Sequence, residues 1–203
     1  MPNRPKFTVH DLHAMRAASA KGHQEWDNPK LSNFKTKVKK FGLLKTHKRC
    51  CYCGRNLHGE FPMVIDIEHI LPKSSFLKHM FTMKNLSVAC KRCNMNIKKN
   101  KTDFLSVQIS SGTKKVFKSK YYKFIHPNLD NYDAHLELHM EQKGRKVLLK
   151  YSIVNHSEKG SYTYNYFKLR QLELDTFDKF QGGSGRQEIS NSNYQAEFNQ
   201  LTA

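Results

Sequence analysis

A chain of 203 residues, 38% of them hydrophobic and with a mean hydropathy of −0.72, has room for one compact domain with elaborations or two small ones, and such a modest core calls for a staple. Thirty-five Lys and Arg against 17 Asp and Glu give a formal charge of +18, an excess that asks for a polyanionic partner and points to nucleic acid. No apolar run approaches the roughly 20 residues of a membrane span, no basic amphipathic stretch suits a lipid surface, and the opening run Met1-Pro2-Asn3-Arg4-Pro5-Lys6 lacks the apolar centre of a secretion signal, so a cytoplasmic protein without membrane partners is expected.

Residues 8–23 read as a helix. Thr8 can cap its start, Asp11 stands three residues on as in a capping box, and Leu12, Met15 and Ala18 give an apolar face. Pro29 interrupts the pattern, and Ser32 can cap a second helix over 33–41. That helix carries Lys35, Lys37, Lys39 and Lys40, and the run to Arg49 holds seven basic residues and no acidic one. Such a run is either a solvated face or a phosphate-contacting one. Val64, Ile65, Ile67 and Ile70 predict a strand over 63–70, closed by Pro72 and the polar residues after it. A second strand is expected over 85–89 and a helix over 90–101. Further on, Leu136, Leu138 and Met140 alternate with polar residues, Gly144-Arg145 offers a turn, and Val147 and Leu149 begin a return strand, which together predict a β-hairpin. Tyr166, Leu169, Leu172 and Leu174 suggest a helix over 161–180, and the Gly- and Ser-rich remainder, 181–203, reads as a flexible tail.

Cysteine spacing supplies the staple. Cys50 and Cys53 form one Cys-x-x-Cys pair, Cys90 and Cys93 another, and 36 residues separate Cys53 from Cys90. Two residues between cysteines let both sulfurs turn onto one tetrahedral ion, so four thiolates binding a structural Zn2+ are expected. Five cysteines make an awkward disulfide set, and Cys51 is given no role.

Between the pairs lie residues fit for hydrolysis. His69 has a side chain suited to taking a proton from water near neutral pH. Glu68 offers a carboxylate and Asn94 a carboxamide oxygen, ligands for a hard cation such as Mg2+ or Mn2+ rather than a second zinc. Asp66, two residues before Glu68 and on the same strand face, is an alternative ligand or a support for the shell. Asn85 is expected to hydrogen-bond across the loop and orient His69. Lys73 in that loop, and Lys98 one helical turn beyond Asn94, are candidate phosphate contacts or ordinary surface charge.

The stretch Asp66-Ile67-Glu68-His69-Ile70-Leu71-Pro72-Lys73-Ser74, then Asn85-Leu86, then Cys90-Lys91-Arg92-Cys93-Asn94-Met95-Asn96-Ile97-Lys98, resembles the HNH motif of the ββα-metal endonucleases, in the zinc-stapled McrA-like branch. Asn94 stands where that family often has a third His. The resemblance covers about residues 48–105 and implies an α+β fold: a ββα core stapled by four cysteines, N-terminal helices over 1–47, a hairpin-plus-helix extension over 106–180, and the tail. It implies catalysis by Glu68, His69, Asn85 and Asn94, with DNA as substrate. The segment Phe124-Ile125-His126-Pro127-Asn128, with Asp130 and Asp133-Ala134-His135-Leu136, is similar to HNH proteins found beside ATPases in Septu and retron anti-phage systems. That likeness implies a defence effector held by a partner ATPase. Tyr162, Tyr164, Tyr166 and Phe167 are then interface anchors or the core of the extension.

Two other functions fit the same composition. A non-catalytic zinc module would bind nucleic acid through its basic surface, but has no use for an acidic residue facing phosphate. An HNH-type RNase would use the same site on a different backbone.

Overall fold

The computed structural model describes residues 2–109, 115–143 and 146–173. They divide into two compact units, the first ending at Asp130 and the second beginning at Asn131.

The first unit opens with helix α1, Val9–Lys21. Thr8 Oγ1 accepts from the Asp11 backbone N–H at 3.2 Å, and Asp11 Oδ2 accepts from the Thr8 N–H at 2.8 Å, a reciprocal cap of the kind that contributes about 1 kcal/mol. The buried face differs from the expected one. Leu12 is exposed, whereas Asp11 is fully buried, because Asn33 and Lys37 also bond its carboxylate and turn that side of the helix inward. Met15 and Ala18 pack inward as expected, with Phe7 and Ala14 in place of Leu12.

Helix α2 is Ser32–Lys45, longer than the sequence predicts. Ser32 is its first residue and not its cap, because a short 3-10 turn, Pro29–Leu31, leads straight into it and is itself capped by Asn28. Gly42 lets the helix run on: a Cβ there would lie 2.6 Å from Val88 Cγ1, so the missing side chain allows the helix to sit close against the sheet.

Strands β1, Ile65–His69, and β2, Leu86–Cys90, pair antiparallel in the register Ile65↔Cys90 to His69↔Leu86. Alternation puts Ile67 and Leu86 on the face that packs with Ala18, Trp26, Leu31, Phe34, Val38 and Met80. Asp66 and Glu68 leave the opposite face. After β2 the chain forms a π-helical segment, Arg92–Lys98, shorter than the helix expected over 90–101. The ββα order is thus present, with a wider-wound third element.

In the second unit, β3, Leu136–Lys143, pairs antiparallel with β4, Lys146–Ile153, which is the expected hairpin. The Gly144-Arg145 turn lies outside the described residues. Helix α3, Glu158–Tyr166, starts earlier than predicted because Ser157 caps it, accepting from the Gly160 N–H at 3.0 Å. Lys168, at φ 50°, breaks the helix, and a further helical turn follows over 169–173. Phe167 and Leu169 are fully buried, so Phe167 is core. Tyr162 and Tyr166 stack at 5.6 Å, and the Tyr164 hydroxyl donates to Glu173 at 2.7 Å. Leu174 and the tail over 181–203 fall outside the described residues. Among the described residues no helix is long and apolar enough to cross a membrane.

Candidate active site and metal centre

Backbone turns set the first cysteine pair. The Gly54 N–H donates to the Cys50 carbonyl at 2.9 Å, and Gly54 takes φ 66°, a conformation open to glycine at little cost. The Cys51 N–H donates to the Val88 carbonyl at 3.0 Å, docking this turn on β2. As a result the sulfurs of Cys50, Cys53, Cys90 and Cys93 lie within 4.8 Å of one another, all buried. Cys53 Sγ and Cys90 Sγ are 3.8 Å apart, which is the edge of a tetrahedron with Zn–S bonds of about 2.3 Å. Electrostatics fit a divalent ion as well. Hydrogen bonds from Cys50, Cys53 and Cys93 pull the Cys90 thiol down, while sharing with Cys50 pushes Cys53 and Cys93 up. Four sulfurs crowded together cannot all ionise unless a cation joins them. The set therefore suits zinc.

Beside it, the third element and β1 exchange polar contacts. Asn94 Nδ2 donates to Asp66 Oδ2 at 3.0 Å, and both residues are partly exposed. The nitrogen of Asn94 is thereby committed and its oxygen is left for a ligand. Glu68 is buried. Its Oε1 accepts from the Tyr52 hydroxyl at 2.9 Å and faces Lys98 Nζ at 2.8 Å. Its Oε2 is enclosed and has no hydrogen-bond partner among the described residues. Burial raises the Glu68 pKa, against the opposing pull of Lys98 and Tyr52. An all-oxygen set with an unsatisfied carboxylate oxygen fits a hard cation.

Lys98 differs from its expected role. It is 1% exposed and donates to the His69 carbonyl at 2.8 Å and the Lys99 carbonyl at 3.2 Å, besides facing Glu68. An ammonium group has three hydrogens, and three oxygens already surround this one. It is an internal strut and not a phosphate contact. The π-helical winding after Cys93 brings it inward.

His69 ends β1, and its ring leaves the face opposite Glu68. Its Nε2 lies 3.0 Å from the Met80 carbonyl. A carbonyl only accepts, so Nε2 carries the proton and Nδ1 holds the free lone pair. Burial, with the charges of Lys73, Lys98 and Lys35 nearby, lowers the pKa to about 3, outweighing the Met80 hydrogen bond. The imidazole is therefore neutral. Asn85 is fully buried and bridges the loop: its Oδ1 accepts from the Leu71 N–H at 2.7 Å, and its Nδ2 donates to the carbonyls of Leu71 and His79. This holds the segment on either side of Met80. Lys73 is half-buried in the loop after His69.

Residues 50–100 match the HNH endonuclease family model. Over those residues the chain is similar to HNH endonucleases. The matched stretch contains both cysteine pairs, the strand pair and every candidate residue named above. The chain is also similar to the Septu protein PtuB of Bacillus thuringiensis, with 24% identity over 174 residues covering 85% of this chain and 54% of that protein. It thus spans about half the length of that curated relative, and the similarity reaches well beyond the HNH domain.

Sequence reading missed two side chains that shape the HNH site. Tyr52, inside the first knuckle, reaches across to Glu68. Trp26, the one tryptophan of the chain, stands edge-on to His69 with ring centroids 4.3 Å apart. Its rarity was a signal; its partner was not visible without the fold.

Proposed function

We propose that this protein is a metal-dependent endonuclease that hydrolyses DNA phosphodiester bonds, and that it serves in anti-phage defence beside a partner ATPase. The tautomer of His69 carries the reading. The Met80 carbonyl fixes the proton on Nε2, and burial keeps the ring neutral, so Nδ1 can accept a proton from an attacking water. A purely structural zinc module has no need for an imidazole prepared in this way.

The other residues supply the rest of the chemistry in this reading. Asp66 and Asn94, with Glu68 Oε2, offer the oxygens for Mg2+ or Mn2+. When bound, that cation would neutralise charge on the scissile phosphate and the leaving oxygen. Lys98 holds the Glu68 carboxylate and the His69 backbone in one arrangement. Asn85 fixes the loop that presents the Met80 carbonyl. Lys73 contacts a phosphate from the loop. The formal charge of +18 favours capture of the polyanion. The defence role rests on the likeness to PtuB, and the ATPase on the resemblance of residues 124–136 to HNH proteins found beside ATPases in Septu and retron systems. A cytoplasmic location agrees with five cysteines kept as thiols.

The test is incubation of plasmid, linear duplex DNA, single-stranded DNA and RNA with Mg2+ or Mn2+, comparing wild type with His69→Ala. Loss of DNA cleavage in the variant supports the proposal. Cleavage of RNA alone replaces it with the ribonuclease reading. Binding without any cleavage leaves the zinc-module reading.

A further inference from the structure

The HNH domain begins at residue 50, yet part of the site's wall comes from before it. Trp26 packs edge-on to the His69 ring at 4.3 Å and an interplanar angle of 79°. Over the Trp26 ring, 5.1 Å from its centroid, lies Lys35 Nζ. Lys39 is one turn further along α2 on the same face, half-buried, and its charge is felt together with those of Asp66, Lys35 and Lys91. One end of this stripe is thus beside the candidate base.

We infer that Lys35 and Lys39 form a phosphate clamp for duplex DNA, with Trp26 as the platform that sets Lys35 beside His69. Two other lysines of the helix lie off this face. Lys37 is committed to the fully buried Asp11 carboxylate at 2.6 Å and points towards α1. Lys40 is exposed on another side of the helix. Lys35 does face an acid, Asp27, at 3.3 Å, but the Asp27 side chain is 85% exposed. A pair so open to water is weak and readily exchanged for a phosphate. Helix α2 has no acidic residue to oppose a polyanion. The clamp borrows from the nuclease reading only the identity of the polyanion.

The experiment measures binding of the full, zinc-loaded chain to a short fluorescent duplex DNA across a potassium chloride series, with no Mg2+ or Mn2+ added. Wild type is compared with Lys35→Gln, Lys39→Gln, the double variant and Lys40→Gln. Each clamp variant should lower the slope of log affinity against log salt by about 0.9, and the double variant by about 1.8. Lys35→Arg should restore the Lys35 slope, because either cation can meet a phosphate, and an unchanged thermal midpoint in Lys35→Gln separates the slope loss from a fold defect. Lys40→Gln should leave the slope unchanged. An unchanged slope in the double variant overturns the clamp, as does an equal loss at Lys40, which would mean a diffuse field. Cleavage is read separately. A chain that cuts nothing but shows the slope loss keeps the clamp and loses the nuclease reading; a chain that cuts with an unchanged slope does the reverse.

Discussion

Lys98 and Glu68 form a buried ion pair, Nζ to Oε1 at 2.8 Å, in which each side chain is 1% exposed. Neither charge is in water, so each depends on the other. Removing one partner strands the other at a cost of about 3–5 kcal/mol, whereas removing both leaves an apolar pair that is close to neutral. Lys98→Met should therefore lower stability by about that amount in urea unfolding. The double variant Glu68→Leu with Lys98→Met should recover much of it. Equal losses in the single and double variants would show that the pair is not coupled.

The four thiolates predict a strict dependence on zinc. Metal analysis of the purified protein should find about one zinc per chain. Cys53→Ser should leave the first unit misfolded, because a bound ion would join the first cysteine pair to the end of β2 and its binding would be part of the folding free energy. Cys51→Ser should keep the zinc, since Cys51 stands outside the cluster. Normal folding after chelation would refute the staple.

Asp11 sets an acid limit on stability. Although burial would raise its pKa, Lys37, the Thr8 cap and Asn33 hold the carboxylate well below its ordinary value. A folded-state pKa depressed in this way contributes stability that is full above the unfolded value of about 3.9 and is lost as pH falls further. Thermal midpoints of the wild type should drop steeply below about pH 4, and those of Asp11→Asn should drop less. At neutral pH the variant should be the less stable of the two. Parallel pH curves would exclude the effect.

On the proposed reading His69 is a base that is already neutral, and this sets the pH profile. Because the His69 pKa is lowered to about 3, cleavage should not decline for want of base between about pH 8 and 6. An acidic limb centred near about 6.5 and assigned to His69 would contradict the burial seen here. His69→Ala should reduce turnover by about a hundredfold or more without a matching loss of DNA affinity.

Some of this was legible early because the signals are local. Cys-x-x-Cys spacing requires no distant information to suggest a metal, and the Thr8–Asp11 cap lies within one turn. The β-branched run before His69 reads as a strand on its own. The burial of Asp11 and the length of α2 were not legible. Asp11 owes its burial to Asn33 and Lys37, more than twenty positions away. The continuation of α2 through Gly42 depends on Val88 lying against it.

The sequence by itself determined the chemistry available: four thiols at metal spacing, an imidazole beside carboxylates, two asparagines and a large basic excess. Tertiary structure decided how that chemistry is used. It turned Lys98 inward to join Glu68 and the His69 carbonyl, 29 positions back along the chain. It chose the basic nitrogen of His69 by placing the Met80 carbonyl against the other, and it brought Trp26 and Lys35 to that ring from outside the HNH domain. The physical reason is that side-chain type and short spacing are properties of the chain, whereas desolvation and hydrogen-bond pairing arise only when distant segments close around a group.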